Sequence, residues 1–167
     1  MPTPPPKRST SARRVSAVPE PAEASAPSAP ADVVVAFLDA WARSDVDAVL
    51  ELVDEDLEYT NVGLPTVHGR DRLELLARPI MRPDRVVFRA HLNYVATEGD
   101  VVLTDRVDEL AFRRFASRFW VYGRFVVRDG KITVWRDSFD FIDVTLGNLR
   151  GLLGLIAPAL NRRWPSD

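Results

Sequence analysis

Four strand-like segments that follow Arg85 constrain the fold of this 167-residue chain more than any other feature. Apolar and polar residues alternate in "RVVFRAHLNYVAT", "VVLTDRVDELAF", "RFWVYGRFVV" and "KITVWRDSFDF", which is typical of strands with one buried face. "EGD" separates the first two segments and "RDG" separates the last two. Because Asp129-Gly130 favours a tight two-residue turn, the sequence predicts hairpins of long antiparallel strands.

The part of the chain before these strands has helical periodicity. Apolar residues recur at helical spacing in "VVVAFLDAW", with Asp32 as the predicted N-cap and an end near Ser44. A second short helix is predicted from Asp45, followed by a strand in "LEYTN" and a third helix in "GRDRLELLARPIM". Helices followed by a run of strands predict an α+β fold. We expect a curved, cone-shaped, mixed but mostly antiparallel sheet, with the N-terminal helices packed on it and an apolar pocket enclosed.

The folded domain is predicted to occupy residues 32–147. Residues 1–31 hold eight of the 13 prolines and are otherwise mostly Ala, Ser, Arg and Glu, which predicts a disordered tail. Residues 148–167 are rich in Leu but contain Arg150 and Pro158, and they fall short of an uninterrupted membrane span. We expect them to form a C-terminal helical extension without stable membrane insertion.

The composition argues against several classes of function. A net charge of −2 with 28% charged residues gives no field that favours nucleic acid, so no nucleic-acid partner is expected. The chain has no cysteine, which excludes disulfides, thiolate metal sites and a cysteine nucleophile, and fits a cytoplasmic location. Its two histidines, His68 and His91, lack metal-binding spacing. The sequence therefore predicts neither a metal nor another cofactor.

Several strands carry polar side chains where apolar ones are expected. Side chains two apart share a face of a strand, so Tyr59 points with Asn61, and Arg106 points with Asp108. Asp137 shares its face with the Trp and Phe residues of "WRDSFDF". An unpaired buried charge costs roughly several kcal/mol, so such an acid must be paired, protonated or exposed.

Two interpretations of these residues remain open at this point. In the first, they form ordinary surface pairs, with Arg106 next to Asp108 and with Asp137 near Arg136 or Lys131 at a sheet edge. In the second, they converge in one apolar pocket and perform acid and base chemistry. The combination of two carboxylates, a guanidinium, an amide and a phenol on otherwise apolar strands favours the second.

The motifs "YTN", "VHGRD", "TDRVDEL" and "GKITVWRDSFD", in this order, resemble the limonene-1,2-epoxide hydrolase family. This family belongs to the nuclear transport factor 2-like, or SnoaL-like, superfamily of cone-shaped α+β proteins, and the resemblance extends from about Val33 to Val144. It implies a cofactor-independent epoxide hydrolase and a homodimer. The residues that it implies to be catalytic are Tyr59, Asn61, Arg106, Asp108 and Asp137.

The resemblance also implies a role for each of these residues. Tyr59, Asn61 and Asp137 would hold and activate a water molecule, Asp108 would be the acid that faces the epoxide oxygen, and Arg106 would bridge the two aspartates. Such chemistry is physically reasonable, because opening an epoxide requires a base and an acid at the same pH. Two carboxylates that share one arginine in an apolar cavity favour keeping one proton between them.

The expected substrate is a lipophilic epoxide, terpene-like or larger, opened by water to a vicinal diol without a covalent intermediate. The candidate substrate contacts are residues that the sequence predicts to be part of the core and that match positions lining the substrate pocket in the family. They are Leu38, Trp41, Leu110, Phe119, Val121 and Phe139.

Other interpretations of the site are weighed against this one. His68 follows a turn-forming segment and is predicted to be structural or exposed, and Asp140 is predicted to end a strand or cap a helix. The same fold could carry a polyketide cyclase or a ketosteroid isomerase-like enzyme. A module that binds a lipophilic ligand without catalysis is a further alternative.

Overall fold

The computed structural model of the chain describes residues 29–82 and 84–165. Residues 1–28 of the predicted N-terminal tail lie outside the described residues. The helices, in chain order, are α1 (Pro30–Ala42), α2 (Val46–Glu51), α3 (Arg70–Ile80) and α4 (Phe141–Ile156), followed by a short 3-10 turn (Pro158–Leu160). The strands are β1 (Val53–Asn61), β2 (Val67–His68), β3 (Val87–Glu98), β4 (Val101–Phe112), β5 (Phe115–Arg128) and β6 (Lys131–Ser138).

Within the described residues, six strands form one sheet in the order β2-β1-β6-β5-β4-β3. The β1–β6 pair is parallel, and all other neighbouring pairs are antiparallel. Three places of shifted register, in the β1–β6, β3–β4 and β5–β6 pairs, interrupt the regular ladder. The α+β class with a curved, mixed and mostly antiparallel sheet is therefore confirmed.

The two predicted hairpin turns form with backbones suited to their residues. Asp129 and Gly130 have φ angles of 50° and 75°, and Gly99 has a φ of 55°. Positive φ at both central residues matches the right-handed twist of the flanking strands, which is why Asp-Gly is favoured there. The β3–β4 and β5–β6 connections agree with the sequence prediction.

Helix α1 packs its apolar face against the sheet. Phe37 is fully buried, and its ring meets the ring of Trp135 edge-on at 4.9 Å and 81°. Burial of one such aromatic side chain stabilises the fold by about 1.5–3 kcal/mol. The predicted N-cap is wrong: Ala29 occupies this position without a side-chain hydrogen bond, and Asp32 lies in the first turn. Pro30 begins the helix, as is common for proline, because it lacks the N–H that would be unpaired there.

Helix α4 covers the first part of strand β5, which has no pairing partner on its β6 side among the described residues. Strand β6 pairs with β5 only from Tyr122 to Arg128, and α4 lies along the preceding part of β5. The backbone N–H of Trp120 donates a hydrogen bond to Asp143 Oδ2 of the helix at 2.9 Å. Two glycines allow the close approach, since a Cβ at Gly147 or at Gly151 would lie 2.8 Å or 2.6 Å from a carbonyl oxygen of β5. A helix that covers a sheet edge prevents pairing with another chain.

The C-terminal segment attaches α4 to the sheet. Arg162 Nη2 donates to Asp143 Oδ1 at 2.6 Å, and Asn161 Nδ2 donates to the carbonyl of Ala116 at 2.9 Å. The guanidinium of Arg89 lies 4.7 Å from the centre of the Trp164 ring. Helix α4 itself runs without interruption across positions 147 and 148, where the C-terminal extension was expected to begin. Among the residues described, no helix combines the length and the apolar character needed to cross a bilayer.

Candidate active site

The guanidinium of Arg106 lies at the centre of the polar residues that the sequence singled out. Its Nε donates to Asp108 Oδ1 at 2.9 Å, and its Nη2 donates to Asp137 Oδ2 at 2.6 Å. Arg106 is 1% exposed, and each aspartate is 5% exposed. The alternative of surface pairs is therefore wrong: Asp137 pairs with buried Arg106, and Lys131 donates to the carbonyl of Glu51 instead.

Sheet register explains how distant residues meet at this point. The parallel β1–β6 pair places Asn61 opposite Asp137 and Tyr59 opposite Trp135. The Tyr59 ring stacks on the Trp135 ring at 3.9 Å and 22°, which fixes the direction of the phenol. Asn61 Nδ2 donates to the Tyr59 oxygen at 2.7 Å. The structure thus brings the amide and the phenol to the same side of the sheet as the carboxylate of Asp137.

The two aspartates differ in how their oxygens are used. Asp137 Oδ1 is buried and has no hydrogen-bond partner within the described part of the chain, whereas Oδ2 accepts from Arg106. A buried carboxylate oxygen without a partner is unusual, because the unmade hydrogen bond costs about 1–3 kcal/mol. It therefore marks a position where a small polar donor could bind.

Burial and neighbouring charges shift the proton affinities of the site. Burial raises the pKa of Asp108 to about 6, against the opposing charge and hydrogen bond of Arg106 and with a further increase from the charge of Asp137. Burial, and then the charge of Asp137, raise the pKa of the Tyr59 phenol, which stays protonated. Burial disfavours the charged guanidinium of Arg106, but the two carboxylates outweigh this and raise its pKa.

An apolar cavity of about 610 Å³ lies over these polar residues. All five polar candidates line it, as do the six residues that the sequence suggested as substrate contacts. Those six are Leu38, Trp41, Leu110, Phe119, Val121 and Phe139.

Other residues that line the cavity were not expected from the sequence. Leu76 and Ile80 come from α3, and Val144 and Asn148 come from α4. The helical spacing of apolar residues in α3 could have indicated that this helix lines the cavity. The C-terminal segment was considered as a possible cover of the pocket, but no local pattern indicated which residues of α4 would face the cavity, because the position of the helix depends on where β6 ends.

Two residues that were set aside do not line this cavity. His68 lies exposed on the short β2, where it pairs with Glu58 of β1, in agreement with its predicted role outside the site. Asp140 caps α4, accepting hydrogen bonds from the backbone N–H groups of Ile142 and Asp143 at 2.6 Å and 3.2 Å. The predicted capping role of Asp140 is confirmed.

Solved structures identify the class of fold. A nuclear transport factor 2-like (NTF2-like) protein of unknown function from Burkholderia pseudomallei superposes with a TM-score of 0.60. The match covers 71% of this chain and 96% of that protein, at 16% sequence identity. At such low identity, the similarity establishes only the fold. This fold is NTF2-like, as the resemblance implied.

Sequence relatives narrow the class to a family. Residues 28–150 match the family model of the limonene-1,2-epoxide hydrolase catalytic domain. Epoxide hydrolase EphG of Mycobacterium tuberculosis is 41% identical over 127 residues, which are 76% of this chain and 84% of that protein. The structure of a Mycobacterium tuberculosis epoxide hydrolase of this type superposes with a TM-score of 0.76 at 38% identity, covering 81% of this chain and 95% of that one. The chain belongs to the limonene-1,2-epoxide hydrolase family, and the predicted epoxide hydrolase class is confirmed.

Proposed function

We propose that this protein opens a lipophilic epoxide to a vicinal diol in one step, with Asp137 as the base and Asp108 as the acid. The single observation that carries the proposal is that only one of the two Asp137 carboxylate oxygens has a hydrogen-bond partner among the residues that the structure describes. Its Oδ2 is held by Arg106, and its buried Oδ1 has no partner in the described residues. A carboxylate held in this way has one oxygen free to accept a proton from water.

Tyr59 and Asn61 are suited to orienting the attacking water. The Tyr59 oxygen accepts from Asn61 Nδ2, so its own hydrogen is free to be donated to a water oxygen. The Asn61 carbonyl oxygen and Asp137 Oδ1 can each accept one hydrogen of that water. These three contacts would leave one lone pair of the water directed at the substrate carbon.

Asp108 is suited to the opposite task. With its pKa of about 6, Asp108 is about half protonated at pH 6 and about a tenth protonated at pH 7. As the water oxygen bonds to an epoxide carbon, the ring C–O bond breaks and its oxygen takes the proton of Asp108. Asp137 takes a proton from the water. Before the next turnover, Asp137 releases this proton to solvent and Asp108 takes one up from solvent, which restores both carboxyl groups. No covalent intermediate with the protein is needed.

The walls of the cavity favour a lipophilic substrate, terpene-like or larger. Its sides are formed by aliphatic and aromatic groups, and its charged residues are Arg106, Asp108 and Asp137 at the site itself. The bridging arginine favours hydrolysis over a cyclase or isomerase activity on the same fold, because neither of these reactions requires two aspartates joined by one arginine. A binding module without catalysis would not require the acid and base pair at all.

The test is turnover of a panel of cyclic and aromatic epoxides, scored for diol. Asp137→Asn should lower kcat by about 10²–10⁴-fold while the protein stays folded, because general base catalysis is worth about this much. Asp105→Asn is the matched control: it removes an acid on the same sheet that contacts Asn93 instead of Arg106. Full diol formation by Asp137→Asn would exclude the proposed base, and a wild-type protein that hydrolyses none of the epoxides but binds one tightly would favour the binding module.

A further inference from the structure

The third nitrogen of the Arg106 guanidinium also has a dedicated partner. Nη1 donates to Thr104 Oγ1 at 3.1 Å, and Thr104 is 3% exposed. Thr104 lies two residues before Arg106 on β4, so both side chains point to the same face. Together with the two aspartates, Thr104 occupies all three nitrogens of the guanidinium fork.

Gly123 provides the space in which this contact forms. It lies on β5 between its register partners, Thr104 on β4 and Asp137 on β6. A Cβ at Gly123 would lie 2.5 Å from Thr104 Oγ1 and 2.8 Å from Phe125 Cε2, and it would overlap Arg106 Nη1. The backbone of Gly123 is not left-handed, so glycine is required here for space and not for its conformational freedom.

We propose that Thr104 and Gly123 are positioning residues that fix the plane of the Arg106 guanidinium between the two aspartates; this inference rests on the proposed function. A guanidinium is planar, so holding Nη1 determines where Nε and Nη2 point. With Nη1 held by Thr104, Nε faces Asp108 and Nη2 faces Asp137 Oδ2, and Oδ1 is left for water. Without that contact, a buried donor has no acceptor, and the guanidinium can turn toward either carboxylate.

Thr104→Val tests the hydrogen bond, since valine keeps the shape of threonine and removes the hydroxyl. We expect kcat to fall by about 10- to 100-fold, the effect of losing one hydrogen bond to a charged group, with KM changed less than about twofold. Thr104→Ser should restore most of kcat. Gly123→Ala should lower kcat although the Thr104 hydroxyl is present. Thr97→Val, at an exposed position on β3, is the control and should match the wild type.

A second measurement does not depend on turnover. In ¹⁵N NMR spectra, the wild-type Arg106 should show separate, slowly exchanging Nη1 and Nη2 signals, because all three nitrogens are held. Thr104→Val and Gly123→Ala should average these signals, whereas Thr97→Val should not.

The two readouts separate this proposal from the proposed function. Separate wild-type signals that average in Thr104→Val would support the positioning role even if no epoxide were hydrolysed. Unchanged signals in Thr104→Val, or unchanged kcat in a protein that hydrolyses epoxides, would overturn it.

Discussion

At the scale of single residues, two chemically identical side chains are placed in different surroundings. Asp108 and Asp137 contact the same guanidinium, but Asp108 is bound through Nε and Asp137 through Nη2. Raising the pKa of one carboxyl group by burial is a common way to obtain an acid at a pH where a second carboxylate acts as a base. The acid and base roles proposed above are of this kind.

The raised pKa of Asp108 predicts a pH dependence of activity. An acid must be protonated, and burial raises the pKa of Asp108 to about 6. We therefore expect kcat/KM to fall as pH rises through about 6, by up to tenfold for each pH unit well above this value. Initial rates of diol formation between pH 5 and 8 measure it. Asp108→Asn should lose activity at every pH in this range, and a flat wild-type profile would contradict the role of Asp108.

Sequence alone indicated the polar residues of the site but not the residues that hold them. Tyr59, Asn61 and Asp137 stood out because polar groups on an apolar strand face are costly. Thr104 did not stand out, because threonine is common in strands whatever its role. Gly123 could not be recognised either, since its importance depends on the side chains opposite it on two neighbouring strands.

At the scale of elements, the attachment of α4 depends on small residues against backbone. A Cβ at Gly151 would lie 2.6 Å from the carbonyl oxygen of Ala116 and 2.8 Å from Phe115 Cε2. A carbonyl within a sheet cannot move aside as the end of a flexible side chain can. The helix and the strand are thus in direct contact over Gly151.

Gly151→Ala should therefore move α4 away from β5. We expect a loss of about 1–3 kcal/mol in the free energy of unfolding, as is usual for an overpacked contact. Gly154→Ala is the comparison in the same helix. Its Cβ would lie 3.1 Å from Asn161, a contact with a side chain that a shift of a few tenths of an ångström relieves, and alanine favours helix. Urea unfolding of both variants measures the difference. Equal stability of the two variants would show that the close approach at Gly151 is not required.

Most elements were predictable because their signals are local. The strands, the Asp-Gly hairpin and the cap at Asp140 each follow from a few neighbouring residues. The start of α1 was misassigned because proline at the first helical position made a side-chain cap unnecessary. The role of α4 as an edge cover was not predictable, since β6 ends earlier along β5 than the alternation of its residues suggests.

At the scale of the whole molecule, β3, β4 and β5 leave aromatic side chains exposed to solvent. Tyr94 is 75% exposed and Tyr122 is 58% exposed, and both are register partners of Asp105 on the strand between them. Trp120 is also partly exposed and borders the same region. An apolar patch bordered by polar groups is typical of a protein interface.

The resemblance to the epoxide hydrolases predicts a homodimer, and this face is where we expect two copies to meet. Light scattering should give a mass of about 37 kDa, twice that of the 18.7 kDa chain. Tyr122→Glu should yield monomers, because it would bury an unpaired charge in the interface. Ile156→Glu changes an exposed residue of α4 and should leave the dimer intact. A dimer that survives Tyr122→Glu but not Ile156→Glu would place the interface on α4.

The placement of the cavity between α3 and α4 has a consequence for how this enzyme could change. The proposed acid, base and bridge lie on strands, whereas the solvent-exposed part of the cavity wall includes Leu76 and Ile80 of α3 and Asn148 of α4. Substitutions at these three positions would alter the exposed wall of the cavity without removing a hydrogen-bond partner of Arg106. Selection, natural or in the laboratory, could therefore redirect the enzyme to new epoxides by changing its helices while its chemistry stays the same.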